Sequence, residues 1–233
     1  AATVDTYGID CDFVRTGEFD VAVEPYQVEA VRDEVQAAHE VGDLEVRFLD
    51  TAQIQAAVKS PVLLAAAHDA RGVALTDPAR LAWGLRDACL AEGVRVAERT
   101  PVLGLRADGG GIEARTRTGL VRATRVALAT NAYPPLLRRL RHYVVPVYDY
   151  ALMTEPLTDA QWSSVGWSGR EGIGGSGNQF HYYRTTDDGR ILFGGYDAVY
   201  EGGFSPRHDH REETYGRLAE HFFQVFPQLA GLR

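Results

Sequence analysis

Apolar and polar positions follow three rhythms along this chain, and each rhythm predicts its own kind of element. Val28, Val31 and Val35, with Ala38 beyond, recur at helical spacing. That helix is expected to open at Glu24-Pro25, with proline in its first position, and to stop at Gly42. Leu81, Leu85, Ala88 and Cys89 form a second apolar face, opened by Asp77-Pro78 and closed by Gly93. Tyr215, Leu218, Ala219, Phe222 and Phe226 form a third, ended by Pro227. Two shorter helices are announced by capping boxes, Asp50 with Gln53 and Thr158 with Gln161.

Period-two alternation marks strands. Phe19, Val21 and Val23 alternate, and Val94-Arg95-Val96 reads as another strand. Thr100 to Arg106, Ile112 to Arg117 and Leu120 to Ala123 read as a three-strand meander that turns at Asp108-Gly109-Gly110-Gly111 and Thr118-Gly119. Val145, Val147 and Ala151 suggest a strand within Val144 to Met153. Gln179 to Thr185 and Arg190 to Gly195 are joined by the hairpin signal Asp187-Asp188-Gly189. The third rhythm is unbroken: Val126 to Ala129 is apolar at every position. Such a run is expected as a strand buried on both faces at the centre of a parallel sheet. It ends in Thr130, Asn131 and Ala132. Ligands of open α/β sheets lie beyond the carboxyl ends of strands, so the Thr130-Asn131 corner is a candidate site. An ordinary buried strand running into an Asn turn is the plain alternative.

Composition narrows the function classes. The 233 residues are 45% apolar, enough for one large or two small cores. A net charge of −8 argues against a nucleic-acid partner, which needs clustered Lys and Arg. The cluster Arg138-Arg139-Leu140-Arg141 is too short to change that and reads as a solvated helix end. No apolar run approaches a membrane span. Cys11 and Cys89 share no metal or redox spacing, and Cys89 lies in a helix core pattern, so a buried, reduced thiol and a cytoplasmic setting are expected.

Three constellations invite chemistry. Gly174-Gly175-Ser176-Gly177 could cradle a phosphate, but these four residues match neither nucleotide-binding spacing and no clear strand leads into them, which predicts a surface loop. His208-Asp209-His210 could hold a metal, yet it sits in a polar linker without a completing carboxylate or thiol motif. Phe180, Tyr182 and Arg184 share one face of a strand, His181 and Tyr183 the other. Rings beside a guanidinium can line an organic-anion pocket; an amphipathic strand with Tyr and Arg reaching to water fits the pattern equally well.

The order of the pieces resembles a known family. The helix after Asp77-Pro78, the strand after Gly93, Thr100-Pro101-Val102, Gly119 to Ala123 and Val126 to Tyr133 resemble the centre of FAD-dependent oxidoreductases of the D-amino-acid oxidase type, which include sarcosine oxidase and glycine oxidase. Pro146, Thr154 to Leu157, Tyr182-Tyr183-Arg184 and Asp188 to Gly195 resemble the family's substrate half. Ile9 to Phe13 and Phe226 to Gly231 resemble the branch containing gamma-glutamylputrescine oxidoreductase. The resemblance implies an α/β (α+β) fold: a partial FAD-binding Rossmann-like domain, residues 71–141, plus a mixed or antiparallel-sheet substrate domain from residues 1–70 and 142–233. It implies FAD as cofactor and an amine or amino acid as substrate. Hydride would leave the carbon bearing nitrogen for the flavin, giving an imine that water hydrolyses. Val102 would meet the adenine through its backbone, Thr130 and Asn131 would approach the cofactor, and Tyr182, Tyr196 and Arg184 would stand on the substrate side. A non-catalytic small-ligand or partner-binding domain of the same fold is the alternative. The family opens with strand-GxGxxG-helix and closes with a glycine-rich segment near the flavin, and this chain shows neither arrangement. The resemblance therefore implies an internal segment of a longer enzyme, inactive by itself.

Overall fold

The computed structural model describes residues 1–232. In chain order the regular elements are α1 (Ala2–Tyr7), β1 (Glu18–Ala22), α2 (Gln27–Glu40), β2 (Arg47–Leu49), α3 (Thr51–Ala57), β3 (Ala65–Asp69), α4 (Pro78–Ala91), β4 (Gly104–Asp108), β5 (Gly111–Arg115) and β6 (Leu120–Ala123). They continue with β7 (Ala151–Met153), α5 (Asp159–Val165), β8 (Gly172–Gly175), β9 (His181–Thr185), β10 (Ile191–Gly195) and α6 (Glu212–Val225). This is a mixed α/β fold with two sheets, divided into two compact units.

The first unit comprises Ala1–Leu85, Asp149–Asp197 and the chain from Arg211 onward. Its sheet has seven strands in the order β2-β3-β1-β8-β9-β10-β7, antiparallel except where β1 runs parallel to β8. The alternation read from the sequence decides which side chains go inward. Phe19, Val21, Ile173, Tyr183 and Phe193 share one face by register, and all are buried. There the rings of Tyr183, Phe193, Trp167, Phe222 and Phe226 pack together, with α6 delivering Phe222 and the residue just past its end delivering Phe226. Val31 and Val35 of α2 cover the opposite face against Ala22, Ala65 and Ala67. Each fully buried valine stabilises the unit by roughly 1.5–3 kcal/mol. Both expected capping boxes form, at Asp50 with Gln53 and at Thr158 with Gln161. Pro25 lies in the turn before α2 and not in its first helical position; the helix begins two residues later.

The second unit comprises Arg86–Tyr148 and Ala198–His210. Its regular part is the meander β4-β5-β6, turning on Gly109 and Gly110, whose φ values are +52° and +99°. The first strand begins at Gly104 and not at Thr100.

Five further expectations are corrected. Val126 to Ala129 forms no strand: the stretch is irregular, Val126 and Leu128 are half-buried, and Ala127 and Ala129 are exposed. A central parallel strand needs ladder partners on both edges, and among the described residues none lies there. Val94 and Val96 likewise form no strand and are exposed. Helix α4 buries no side chain, and Cys89 is exposed. Within Val144 to Met153, only Ala151–Met153 and an isolated bridge from Tyr148 to Val199 pair. Conversely, the surface loop expected at Gly174 to Gly177 begins inside strand β8, which contains Gly174 and Gly175 and is held between β1 and β9.

Candidate functional site

The outward face of β8, β9 and β10 is floored by glycine. Register aligns Asp20, Gly174, Tyr182, Gly194 and Ala151 in one row across five strands. Arg184, Leu192 and Met153 form the next row. Alternation puts these residues on the side opposite the aromatic cluster. Above Gly174 there is open space: a Cβ built there would have no neighbour within 4 Å. Gly194 is different. A Cβ there would stand 2.8 Å from the Cζ and Oη of Tyr182 and 3.0 Å from the Cβ of Ala151. Tyr182 therefore lies across β10, and its hydroxyl donates to Oδ2 of Asp149 at 2.8 Å.

Electrostatics on this face favour protonated acids. Burial, the hydrogen bond to Asp149 and that carboxylate's charge push the Tyr182 phenol upward. Burial and the neighbouring Glu34 push the Asp20 carboxyl up to about 6. Glu34 and Glu18 are also raised, chiefly by burial. Arg184 donates from Nη1 to the carbonyl of Thr76 at 2.9 Å.

The other face carries a histidine pair. His181 Nε2 lies 2.9 Å from His221 Nδ1, while His181 Nδ1 contacts the Gly194 carbonyl at 3.1 Å. Burial lowers both imidazoles. The Tyr196 ring stacks on His181 with centroids 5.2 Å apart. Simple alternation would place Tyr196 on the face of Tyr182. Gly195 at φ +89° and Tyr196 at φ +73° break the alternation and turn the ring to the other side. Tyr182 and Tyr196 are thus not brought together. Tyr196 instead lines a cleft of about 530 Å³ with Val23, Tyr26, Gln27, Phe180 and His181.

In the second unit Thr130 and Asn131 line a cleft of about 530 Å³ with Leu128, Tyr133, Val145 and Phe204. Asn131 adopts φ +43°, and the Thr130 carbonyl accepts from the Tyr133 N–H at 3.0 Å. Val102 is half-buried in irregular chain beside Leu103, whose N–H donates to Arg115. His208 lies 3.7 Å from Glu201 and accepts from Arg207. No three His, Cys, Asp or Glu side chains among the described residues are grouped to hold a metal.

Comparison with known proteins decides the family. The family described as FAD dependent oxidoreductase matches residues 1–233. The chain belongs to that family. Family members are FAD-dependent enzymes. The probable oxidoreductase OrdL of Haemophilus influenzae is 25% identical, across 99% of this chain and 52% of its own length. The gamma-glutamylputrescine oxidoreductase of Escherichia coli is 28% identical over the same shares, 99% and 52%. The chain thus spans about half the length of the curated relatives it matches. Glycine oxidase from Geobacillus kaustophilus superimposes with a TM-score of 0.80 at 18% identity, over 100% of this chain and 61% of that one. L-proline dehydrogenase from P. horikoshii gives 0.75 at 17% identity, over 99% and 60%. Both likenesses are of fold.

The residues present fit the family's cofactor in part. The peptide groups of Val102 form no hydrogen bond among the described residues, and so remain open to a ligand. A pyrophosphate cradle is a different matter. Counted from Gly172, the segment Gly172–Gly177 does spell G-x-G-x-x-G, which the reading from Gly174 overlooked. Its first four residues are nevertheless sheet strand, and the chain returns as β9 and not as a helix. It lacks the helix N-terminus that holds phosphate in nucleotide-binding folds. Sequence reasoning singled out Tyr182 and Arg184 but missed Asp149 and the glycine floor, open at Gly174 and covered by the Tyr182 ring at Gly194. The paired glycines Gly194-Gly195 were the available signal for the floor; nothing in the sequence marked Asp149.

Proposed function

We propose that this chain serves FAD-dependent oxidation of a C–N bond in an amine or amino acid, with its first unit supplying the substrate side. Supporting the reading is Tyr182, lying across Gly194 in the same row as the open space above Gly174, in a chain that matches the family along its whole length. When bound, FAD would supply the hydride acceptor for oxidation of the carbon that bears nitrogen. The chain's own residues do the rest. Tyr182 and Arg184 orient the substrate, and the apolar neighbours Leu192 and Met153 limit water around it. Val102, Thr130 and Asn131 serve the cofactor, Val102 through peptide groups and the other two at a corner of small polar side chains.

The test is anaerobic mixing of the FAD-loaded protein, expressed with the flanking sequence of its coding frame, with amines and amino acids, following the oxidised flavin absorbance. Bleaching by a substrate of either class is the expected result. Tyr182→Phe should lower kcat/KM by about ten-fold, the effect of losing one hydrogen bond to a charged group. A folded protein that retains no flavin, with the flanking sequence of its coding frame included, would overturn the reading in favour of a ligand-binding domain.

A further inference from the structure

A phenol has one proton to donate. Tyr182 gives it to Asp149, so its oxygen keeps only lone pairs for anything else that approaches. It can accept from an N–H but has nothing to offer a carboxylate. A second anion would also meet the charge of Asp149 behind the phenol, and like charges at such distances repel.

We propose that Asp149 is a positioning and specificity-determining residue: it makes Tyr182 an acceptor, so that this face takes the ammonium end of an amine and disfavours a carboxylate beside Tyr182. The substrate class that follows is an amine without an α-carboxylate. The proposal rests on the reading of Tyr182 as a substrate-side residue. Three further observations support it. The ring lies against the backbone of Gly194, where a Cβ would stand 2.8 Å from its Cζ and Oη. The Tyr182 phenol is raised, first by burial and then by its hydrogen bond to Asp149 and that carboxylate's charge. The charged groups sharing the face are mostly acidic, Asp20 in the same row and Glu34 beside it. Arg184, two residues from Tyr182 along β9 and so about 7 Å away, is the rival anchor for an acid.

The experiment uses the intact, flavin-loaded protein with two probes that differ in the carboxylate, n-butylamine and L-norvaline, with Kd measured by calorimetry. Asp149→Leu, which leaves the phenol without its acceptor, should weaken n-butylamine by about ten-fold, the scale of one hydrogen bond to a charged group, and leave L-norvaline unchanged or tighter. Tyrosinate absorbance, with Tyr182→Phe subtracted to isolate one phenol, should show Tyr182 ionising at lower pH in Asp149→Asn. Gly194→Ala, which displaces the ring but keeps the carboxylate, should reproduce the loss of n-butylamine binding. Equal weakening of both probes, binding of neither, or an ionisation of Tyr182 indifferent to Asp149 would each overturn the proposal. Bleaching by amino acids but by no amine would also overturn it, whereas failure of amines and amino acids alike to bleach the flavin would count against the oxidation reading alone, since the binding and ionisation measurements do not need turnover.

Discussion

Ile191-Leu192-Phe193 and Val126-Ala127-Leu128 look alike in sequence, two short apolar runs, and they end in opposite environments. Ile191 and Phe193 are fully buried between neighbouring strands and α6. Val126 and Leu128 are half-buried in irregular chain. The contrast extends to the whole of each unit. Every buried hydrophobic side chain among the described residues belongs to the first unit; the second exposes Val94, Leu120, Val121, Tyr143 and Val145. An apolar run requires a partner surface to become a buried strand, and the run itself does not say whether one is present. The first unit finds its partners along the chain through the β1–β8 pairing and the α6 packing. The second pairs three strands with each other and leaves the apolar run at 126–129 without a ladder.

Three measurements would break or sharpen this contrast. The largest effect is expected in thiol labelling. Cys89 is exposed and Cys11 is 1% exposed. Under native conditions Cys89 should react roughly a thousand-fold faster, since Cys11 is reached only through unfolding that costs several kcal/mol. Comparable rates would mean that the first unit is not packed as described.

Next in size is truncation of the two apolar runs. Phe193→Ala removes a ring packed against Tyr183, Phe222 and His181 and should cost about 3–5 kcal/mol. Val126→Ala should cost less than about 1 kcal/mol, as expected of a side chain outside a core. Urea unfolding of both variants reads the difference; similar losses would restore Val126 to a core.

The smallest effect concerns pH. The Asp20 carboxyl is pushed up to about 6, so the folded chain binds its proton more tightly than the unfolded chain, whose carboxylates titrate near 4. Its contribution to stability is fully present below that unfolded value and is lost as pH rises through about 6. Asp20→Asn should flatten this slope and be more stable than the parent at pH 7. Urea midpoints at pH 4.5 and 7 read it, and a difference between parent and variant that is the same at both pH values would remove Asp20 from the account.

Legibility of the site followed the same division. Tyr182 and Arg184 share a face because β9 alternates, and alternation is written in the sequence. Tyr196 does not join them, because two consecutive positive φ angles reverse its direction, and a backbone turn of that kind leaves only a glycine as its trace. Asp149 reaches Tyr182 from 33 residues away, across a strand order that no local pattern discloses.

What the sequence alone determined are the features whose causes are local: the two capping boxes, the meander with its glycine turns, the hairpin at Asp187-Asp188-Gly189, and the inward faces of α2 and α6. The tertiary structure decided everything that depends on a partner far along the chain. It placed β8 between β1 and β9, left Val126 to Ala129 without a ladder, and laid Tyr182 across Gly194 toward Asp149. The physical reason is that caps and turns are satisfied by atoms a few residues away, whereas strands and buried side chains are satisfied by whichever surface the fold brings to them.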